Sequence, residues 1–139
     1  MSTNLQIITD SLRALNVINE NETPSAEQGA QCLRKLNQMM ALWAVDGTVI
    51  GYFAQTDTSA TCPIPDWAES GVANHLALYV ASDFGAEPTL PVIAAADTGM
   101  QTILRTVMNI ALIGADMSHL PSGSGKFGTG FNINTGTIN

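Results

Sequence analysis

The first candidates for acid–base chemistry in this chain are three carboxylates, Glu27, Asp46 and Glu69. A carboxylate that lies in a cleft and has a raised pKa could act as the general acid of a hydrolase. Glu69 also has a simpler interpretation, because Asp66 and Glu69 have the spacing of a capping box at the start of a helix. The spacing of these carboxylates therefore does not by itself predict catalysis.

Other residue types that carry chemistry occur in patterns that do not support a site. His75 and His119 have no Cys, His or acidic partner at the spacing of a metal site. Cys32 and Cys62 match no metal or redox motif, which favours free thiols in a reducing setting, with a single disulfide as the alternative. The stretch SGSGKFGTG lacks the spacing of a phosphate-binding loop. The sequence predicts no enzyme activity, no cofactor and no metal.

The composition favours contacts with other proteins. Hydrophobic residues make up 45% of the 139 residues and charged residues only 12%, so much of the surface must be uncharged. Twelve acidic residues and five scattered basic ones give a formal charge of −7, which argues against binding to a phosphate backbone. There is no apolar run of the roughly 20 residues that span a bilayer. We expect no membrane partner and a protein that is cytosolic or assembled from the cytosol.

Apolar residues recur every three or four positions in four segments, which predicts an all-α fold, a small four-helix bundle. The predicted helices cover about residues 3–15, 24–46, 66–84 and 91–111. Thr23 and Pro24 are expected to start the second helix, and Asp46 and Gly47 to end it. The stripes expected in the core are Leu5, Ile8, Leu12 and Leu15; Ala26, Ala30, Leu33, Leu36, Met40 and Trp43; Val72, Leu76, Tyr79 and Val80; and Ile93, Ala96, Met100, Ile103, Val107 and Ala111. Trp43 and Trp67 are predicted to be core anchors.

Between the second and third helices, the segment 48–65 is rich in β-branched and aromatic residues, which indicates a short hairpin or an extended excursion. We expect this segment to leave the helical body of residues 1–116 as an arm that contacts another molecule. An ordinary covering loop is the alternative. The residues expected to make the contact are Val49, Ile50, Gly51, Tyr52 and Phe53.

The last segment, residues 117–139, is predicted to be an extended C-terminal tail that docks on another molecule. It is dominated by Gly, Ser, Thr and Asn, and it cannot build a core alone. Phe127, Thr129, Phe131 and Ile133 alternate with small or polar residues, so an extended chain would have one apolar side. Such a strand can pair with a sheet edge of a partner. A flexible terminus without a role is the alternative.

Three sequence stretches together resemble a known family: MMALWAVDG, the TVIGY that follows it, and the late LPSGSG. They are similar to the head-to-tail adaptor proteins of short-tailed bacteriophages, which are also called tail accessory factors or packaged-DNA stabilisation proteins. The resemblance covers nearly the whole chain. Its most specific residues are Trp43, Asp46, Gly47, Gly51 and Tyr52.

The resemblance implies a structural virion protein at the head–tail junction, made in the host cytoplasm. Its arm, residues 48–65, would contact a neighbouring subunit or a tail protein. Usually twelve copies would form a ring beneath the portal protein, extend the DNA conduit and retain the packaged DNA, which would pass without specific binding. The ring would also meet a downstream tail protein, a nozzle or a tail hub. The C-terminal tail would run along the portal, and this chain differs from the family in having a short end after LPSGSG. The residues expected to contact the portal are Leu120, Pro121, Gly123, Gly125, Lys126, Phe127, Phe131 and Ile133.

Two other functions remain as alternatives at this point. A cell-wall hydrolase acting during infection would use one of Glu27, Asp46 and Glu69. A DNA-binding packaging subunit would also be small, helical and ring-forming, but it would need more basic residues than the five present.

Overall fold

The computed structural model describes residues 1–114, 131–132 and 137–138. In this part of the chain the helices are α1 (Asn4–Ala14), α2 (Ala26–Val45), α3 (Asp66–Val80) and α4 (Leu90–Gly114). Two short strands, β1 (Phe131–Asn132) and β2 (Thr137–Ile138), pair antiparallel, with Phe131 opposite Ile138. The predicted all-α fold is confirmed.

The first two helices begin with reciprocal capping boxes. The side chain of Thr3 accepts a hydrogen bond from the backbone N–H of Gln6, and that of Ser25 accepts one from the N–H of Gln28. In both cases the glutamine side chain accepts a hydrogen bond from the backbone N–H of the capping residue. The prediction that Thr23 and Pro24 start α2 is wrong, because the Ser25–Gln28 box satisfies two free backbone N–H groups two residues later.

Helix α2 ends where its sequence predicts. Asp46 is its C-cap residue, and Gly47 has a φ of 87°, a left-handed conformation that favours glycine. The backbone N–H of Thr48 donates to the carbonyl of Trp43 at 2.8 Å, and that of Gly47 donates to Ala44 at 3.2 Å. These two bonds form a Schellman motif, which satisfies carbonyl groups that the helix end would otherwise leave free.

The start of α3 differs from the prediction. Pro65 occupies the capping position, and Asp66 makes no capping hydrogen bond, so the predicted capping box is wrong. The carboxylate of Glu69 instead accepts hydrogen bonds from the backbone N–H and the hydroxyl of Ser2, both at 2.7 Å. Regular helix ends at Val80 rather than at Phe84, and turns continue to Gly85, whose φ is 62°.

The core lies between α1, α2 and α3, with α4 packed mainly against α3. Its fully buried large side chains include Ile7, Ile8, Leu12, Leu36, Ile64, Leu76 and Ile103. Several residues predicted to be buried are exposed: Ala26, Ala30, Trp67, Tyr79, Ile93 and Ala111. Ala111 is exposed because it lies in the part of α4 that extends past the start of α3. Leu5 is only half-buried, and the neighbouring Ile7 takes the core position.

Two glycines allow α3 and α4 to approach each other closely. A Cβ placed on Gly99 would lie 2.4 Å from the Cα of Gly71, which is closer than two carbon atoms can pack. A Cβ on Gly71 would lie 3.1 Å from the backbone of Gly99 and 3.0 Å from Cδ1 of Ile103. Glycine usually weakens a helix interior, so its presence here is explained by backbone-to-backbone packing.

Replacing Gly99 by alanine should therefore destabilise the protein, although alanine is the better helix former. The new methyl group has to push α4 away from α3, and overpacking of this kind costs about 1–3 kcal/mol. The matched control is Gly29→Ala in α2, where the new Cβ would meet Thr58 at an ordinary 3.6 Å. We expect the control to leave the free energy of unfolding unchanged or raise it by up to about 1 kcal/mol. Urea unfolding of the two variants checks this, and equal stabilities would contradict it.

Candidate assembly surfaces

The segment 48–65 lies along α1 and α2, held by two buried or half-buried asparagines. The side-chain amide of Asn37 donates to the carbonyl of Gln55 at 2.8 Å, and its Oδ1 accepts from the Gln55 backbone N–H at 2.9 Å. The hydroxyl of Tyr52 donates to the same Oδ1 at 2.6 Å, and burial raises the pKa of Tyr52. Asn4 donates to the side-chain oxygen of Gln55 and to the Asp57 carbonyl, at 3.2 and 2.8 Å.

The expectation that this segment leaves the body as an arm is therefore wrong for the single chain. Between residues 48 and 65 there is no hairpin; one isolated bridge joins Thr61 to Thr3. Ile50 and Tyr52 pack against the core, and Gly51 is exposed with a φ of 87°. The side chains of Val49 and Phe53 are 63% and 66% exposed. Only these two apolar side chains of the predicted contact set remain largely available to another molecule.

The three candidate carboxylates do not meet. Glu27 and Asp46 are exposed at opposite ends of α2, about 28 Å apart along its axis. The carboxylate of Glu69 accepts two hydrogen bonds from Ser2, and Glu69 lines a cleft with Asp10 and Asp66. Glycosidases need two carboxyl groups within roughly 5–10 Å on either side of the scissile bond. The three residues proposed from the sequence do not form such a pair.

A groove of about 330 Å³ lies between the end of α2 and α3, and we call it the α2–α3 groove. Its lining includes Leu42, Trp43, Asp46, His75, Leu78 and Tyr79. Trp43 is buried and meets the ring of His75 edge-on, with the ring centroids 5.3 Å apart. Leu42 and Tyr79 are 55% and 37% exposed, so the groove has an apolar rim.

His75 connects three helices at this groove. It contacts Trp43 of α2, and the backbone of Ala96 in α4 lies close enough to raise its pKa through hydrogen bonding. Its Nε2 is buried and has no hydrogen-bond partner among the described residues. Burial lowers the pKa of His75, an effect opposed by the bond to Ala96 and by the charge of Asp97. The surroundings of His75 therefore favour the neutral imidazole.

The second half of α4 exposes an apolar face that we call the α4 stripe, formed by Leu104, Met108 and Leu112. These residues are spaced four apart, so they lie on one side of the helix. They are 42%, 63% and 58% exposed. At about 37 Å, α4 is much longer than α3 at about 22 Å, so α3 cannot cover it fully. Ile110 and Ile113 are also exposed near the end of α4.

Charged and reactive side chains near these surfaces are few. Arg105 is the one charged residue between positions 98 and 114, and it lies beside the α4 stripe. Lys35 forms an ion pair with Asp83 at 3.2 Å and lies over the ring of Tyr79. Cys32 and Cys62 are free and buried, and burial raises the pKa of each thiol to about 11.

In the part of the chain that the structure describes, no group of His, Cys, Asp and Glu side chains could hold a metal ion. Within the same residues, no helix is long and apolar enough to span a membrane.

Most of the predicted docking tail falls outside the described residues. Of the residues predicted to contact the portal, Phe131 is the one that the structure describes, and its backbone pairs with Ile138. The other predicted portal contacts lie outside the described residues, as does His119: Leu120, Pro121, Gly123, Gly125, Lys126, Phe127 and Ile133.

A family model described as P22 tail accessory factor matches residues 2–135, nearly the whole chain. The chain belongs to the P22 tail accessory factor family. This tail accessory factor is thus a phage protein with a structural, tail-associated role. The resemblance read from the sequence is confirmed at this level. A comparison with curated proteins found no match.

Sequence reasoning missed the residues that organise these surfaces in the tail accessory factor. Asn37 lies on the polar face of α2, where an asparagine does not by itself indicate a tertiary contact. An asparagine in a helix interior is, however, a weak signal, because it is a poor helix former. The α4 stripe was also missed, although an uncharged segment with a single arginine marks it in the sequence.

Replacing Asn37 by alanine should release the segment 48–65 from α2. The change removes three hydrogen bonds and leaves two backbone groups of the buried Gln55 without their partner, at a cost of about 2–4 kcal/mol. Tyr52→Phe removes one of these bonds and should cost about 1 kcal/mol. Urea unfolding and limited proteolysis within 48–65 are the measurements. Asn74→Ala, which loses only bonds to Ser70 within α3, is the control; an effect as large as that of Asn37→Ala would contradict the assignment.

The stability of the protein should depend on His75 at mildly acidic pH. Because its pKa in the folded state is below 6.5, the unfolded chain binds the proton first as the pH falls. The stabilisation is complete above the unperturbed pKa and is lost as the pH falls below it toward the folded value. Unfolding free energies measured across this range should fall more steeply for the wild type than for His75→Gln. Parallel pH profiles of the two proteins would refute this.

Proposed function

We propose that this tail accessory factor assembles as a ring between the portal protein and the next tail protein, where it extends the DNA conduit and retains the packaged DNA. Membership of the family is the observation that carries the proposal. The portal and a nozzle or hub protein are its partners, and the assembled ring belongs to the head–tail junction of the virion.

The exposed apolar surfaces support an assembling protein. A monomer usually buries contiguous apolar side chains, and larger exposed patches mark interaction sites. Here Val49, Phe53 and the α4 stripe are exposed together with an uncharged end of α4. Helix α4 also leads directly into residues 117–139, the segment with alternating apolar residues. We assign portal docking to that segment, and contact with a neighbouring subunit or tail protein to Val49 and Phe53.

The charge supports a conduit rather than a DNA-binding surface. The chain carries a net charge of −7, and one of its five basic side chains, Lys35, is paired with Asp83. Repeated around a ring, this charge repels phosphates and lets DNA slide without adhering. The packaging-subunit alternative needs several phosphate contacts from Lys and Arg, and the hydrolase alternative needs the carboxyl pair that Glu27, Asp46 and Glu69 do not form.

Portal capture tests the proposed role of the tail. The full-length variant Phe127→Ser/Phe131→Ser/Ile133→Ser removes the apolar side of the predicted strand. Burial of each such side chain contributes about 1.5–3 kcal/mol, so binding to portal rings of the same phage should weaken at least about 100-fold. Sedimentation or interferometry with purified portal measures the affinity.

The control for portal capture changes the opposite side of the same strand. Asn132→Ser/Asn134→Ser alters two polar side chains in the same segment, and it should bind portal as the wild type does. Thermal unfolding of both variants should match the wild type, because the core formed by the described residues involves none of the mutated positions. Undiminished portal binding by the triple variant would rule out docking through this strand.

A further inference from the structure

The two apolar surfaces differ in shape and in the sign of their charge. The α4 stripe is a convex row of side chains on one helix, and the α2–α3 groove is concave. They share no residue. From this complementarity we infer that the α4 stripe of one copy packs into the α2–α3 groove of a second copy. The inference deepens the proposed ring, since it names the two surfaces through which neighbouring subunits would meet.

The stripe has the geometry of a helix that docks in a groove. Residues four apart present their side chains in a single line, which is how amphipathic helices enter apolar grooves. Leu104, Met108 and Leu112 supply two leucines and an unbranched methionine, and methionine adapts to irregular surfaces. Met108 and Leu112 lie beyond Ile103, the last fully buried side chain of α4, so a second molecule can approach them.

The groove offers a matching apolar rim. Leu42 and Tyr79 border it, and the T-shaped contact of Trp43 with His75 gives it a firm base. A volume of about 330 Å³ is at the lower limit for metabolite pockets, and it suits a few inserted side chains better. Its lining presents a single carboxylate, that of Asp46, beside a histidine whose surroundings favour the neutral form.

Charge complementarity selects a second copy as the occupant and sets the direction of docking. Arg105 is the one charged residue in the last 17 described residues of α4, 98–114, and it is exposed. Asp46 is exposed at the groove and is the one charged residue between Lys35 and Asp57. Lys35, at the edge near Tyr79, is already compensated by Asp83. A stripe with one cation therefore meets a groove with one anion, and an arginine–carboxylate pair is a specific, directional contact.

When two copies meet in this way, one of them still has a free groove and the other still has a free stripe. Such heterologous contacts continue from copy to copy, and they close into a ring where the rotation between neighbouring copies allows it. A stripe of three side chains buries little area, so the free energy gained is comparable to the cost of bringing two molecules together. Copies held side by side on a portal would pay much less of that cost, because their effective concentration is high. The contact should be weak in dilute solution and strong in the assembly.

Cysteine cross-linking between two separately purified variants tests the contact. One protein carries Leu42→Cys at the groove and the other carries Met108→Cys on the stripe. Both positions are exposed, whereas Cys32 and Cys62 are buried and their thiols have raised pKa values, so a short bismaleimide reagent should react at the introduced thiols. We expect a covalent mixed dimer when the two are combined at high concentration, and no dimer from either alone. A double variant should give a ladder of larger species.

Charge reversal tests the direction of docking. Asp46→Arg in the groove protein, or Arg105→Glu in the stripe protein, should each lower the yield of mixed dimer at least tenfold at low salt. Combining the two reversed proteins should restore the yield, because the pair is then opposite in sign again. The matched control is Glu27→Arg in the groove protein, which reverses a carboxylate at the far end of α2 and should change the yield less than twofold.

Three results would overturn the inference: no mixed dimer at any concentration, dimers from the Met108→Cys protein alone, or no recovery when both charges are reversed. Dimers from one variant alone would mean that two stripes meet each other instead. Portal capture is read separately and does not depend on this cross-link. Failure of capture with a positive cross-link counts against the proposed function, and the reverse outcome counts against this inference alone.

Discussion

The close crossing of α3 and α4 at Gly71 and Gly99 is the constraint on which the arrangement of the surfaces depends. At this point the two backbones touch, and no side chain separates the helices. The contact fixes the position of α4 along α3, so that Ala96 and Ile103 are buried on either side of it. Because α3 begins at Asp66 and α4 continues to Gly114, the same register leaves the second half of α4 without full cover. The exposed α4 stripe is thus a consequence of packing near the middle of the helix.

The helices could be predicted from the sequence because their signals are local. Apolar spacing found all four of them, and Asp46 with Gly47 marked the end of α2, where a left-handed glycine closes a Schellman motif. The errors arose where two local signals compete. Thr23–Pro24 and Ser25–Gln28 both predict a helix start, and the reciprocal hydrogen bonds of the second pair decide the outcome. Asp66 and Glu69 have capping spacing, but Ser2, which is distant in the sequence, takes the carboxylate of Glu69.

The candidate surfaces were much less predictable, because an apolar stripe does not indicate how far its partner helix extends. Ile103 and Ala111 continue one pattern, yet only Ile103 lies where α3 can cover it. The segment 48–65 shows the same limit in another way. Its β-branched and aromatic residues suggested a hairpin, but its backbone bonds to the side chains of Asn37 and Asn4, which come from two different helices. Such contacts depend on the tertiary arrangement and leave no periodic signal.

In the proposed ring, repulsion between acidic subunits explains why the contacts between them should be apolar. Each added copy brings a net charge of −7, so self-association works against a growing repulsion that salt screens only partly. Ion pairs between exposed groups are too weak to reverse this, since each contributes about 0–1 kcal/mol. Burial of apolar side chains does not depend on charge, and it can hold acidic subunits together while the negative lumen stays free of DNA contacts. An acidic conduit therefore requires subunits that are joined mainly by apolar surfaces, and the low charge content of α4 meets this requirement.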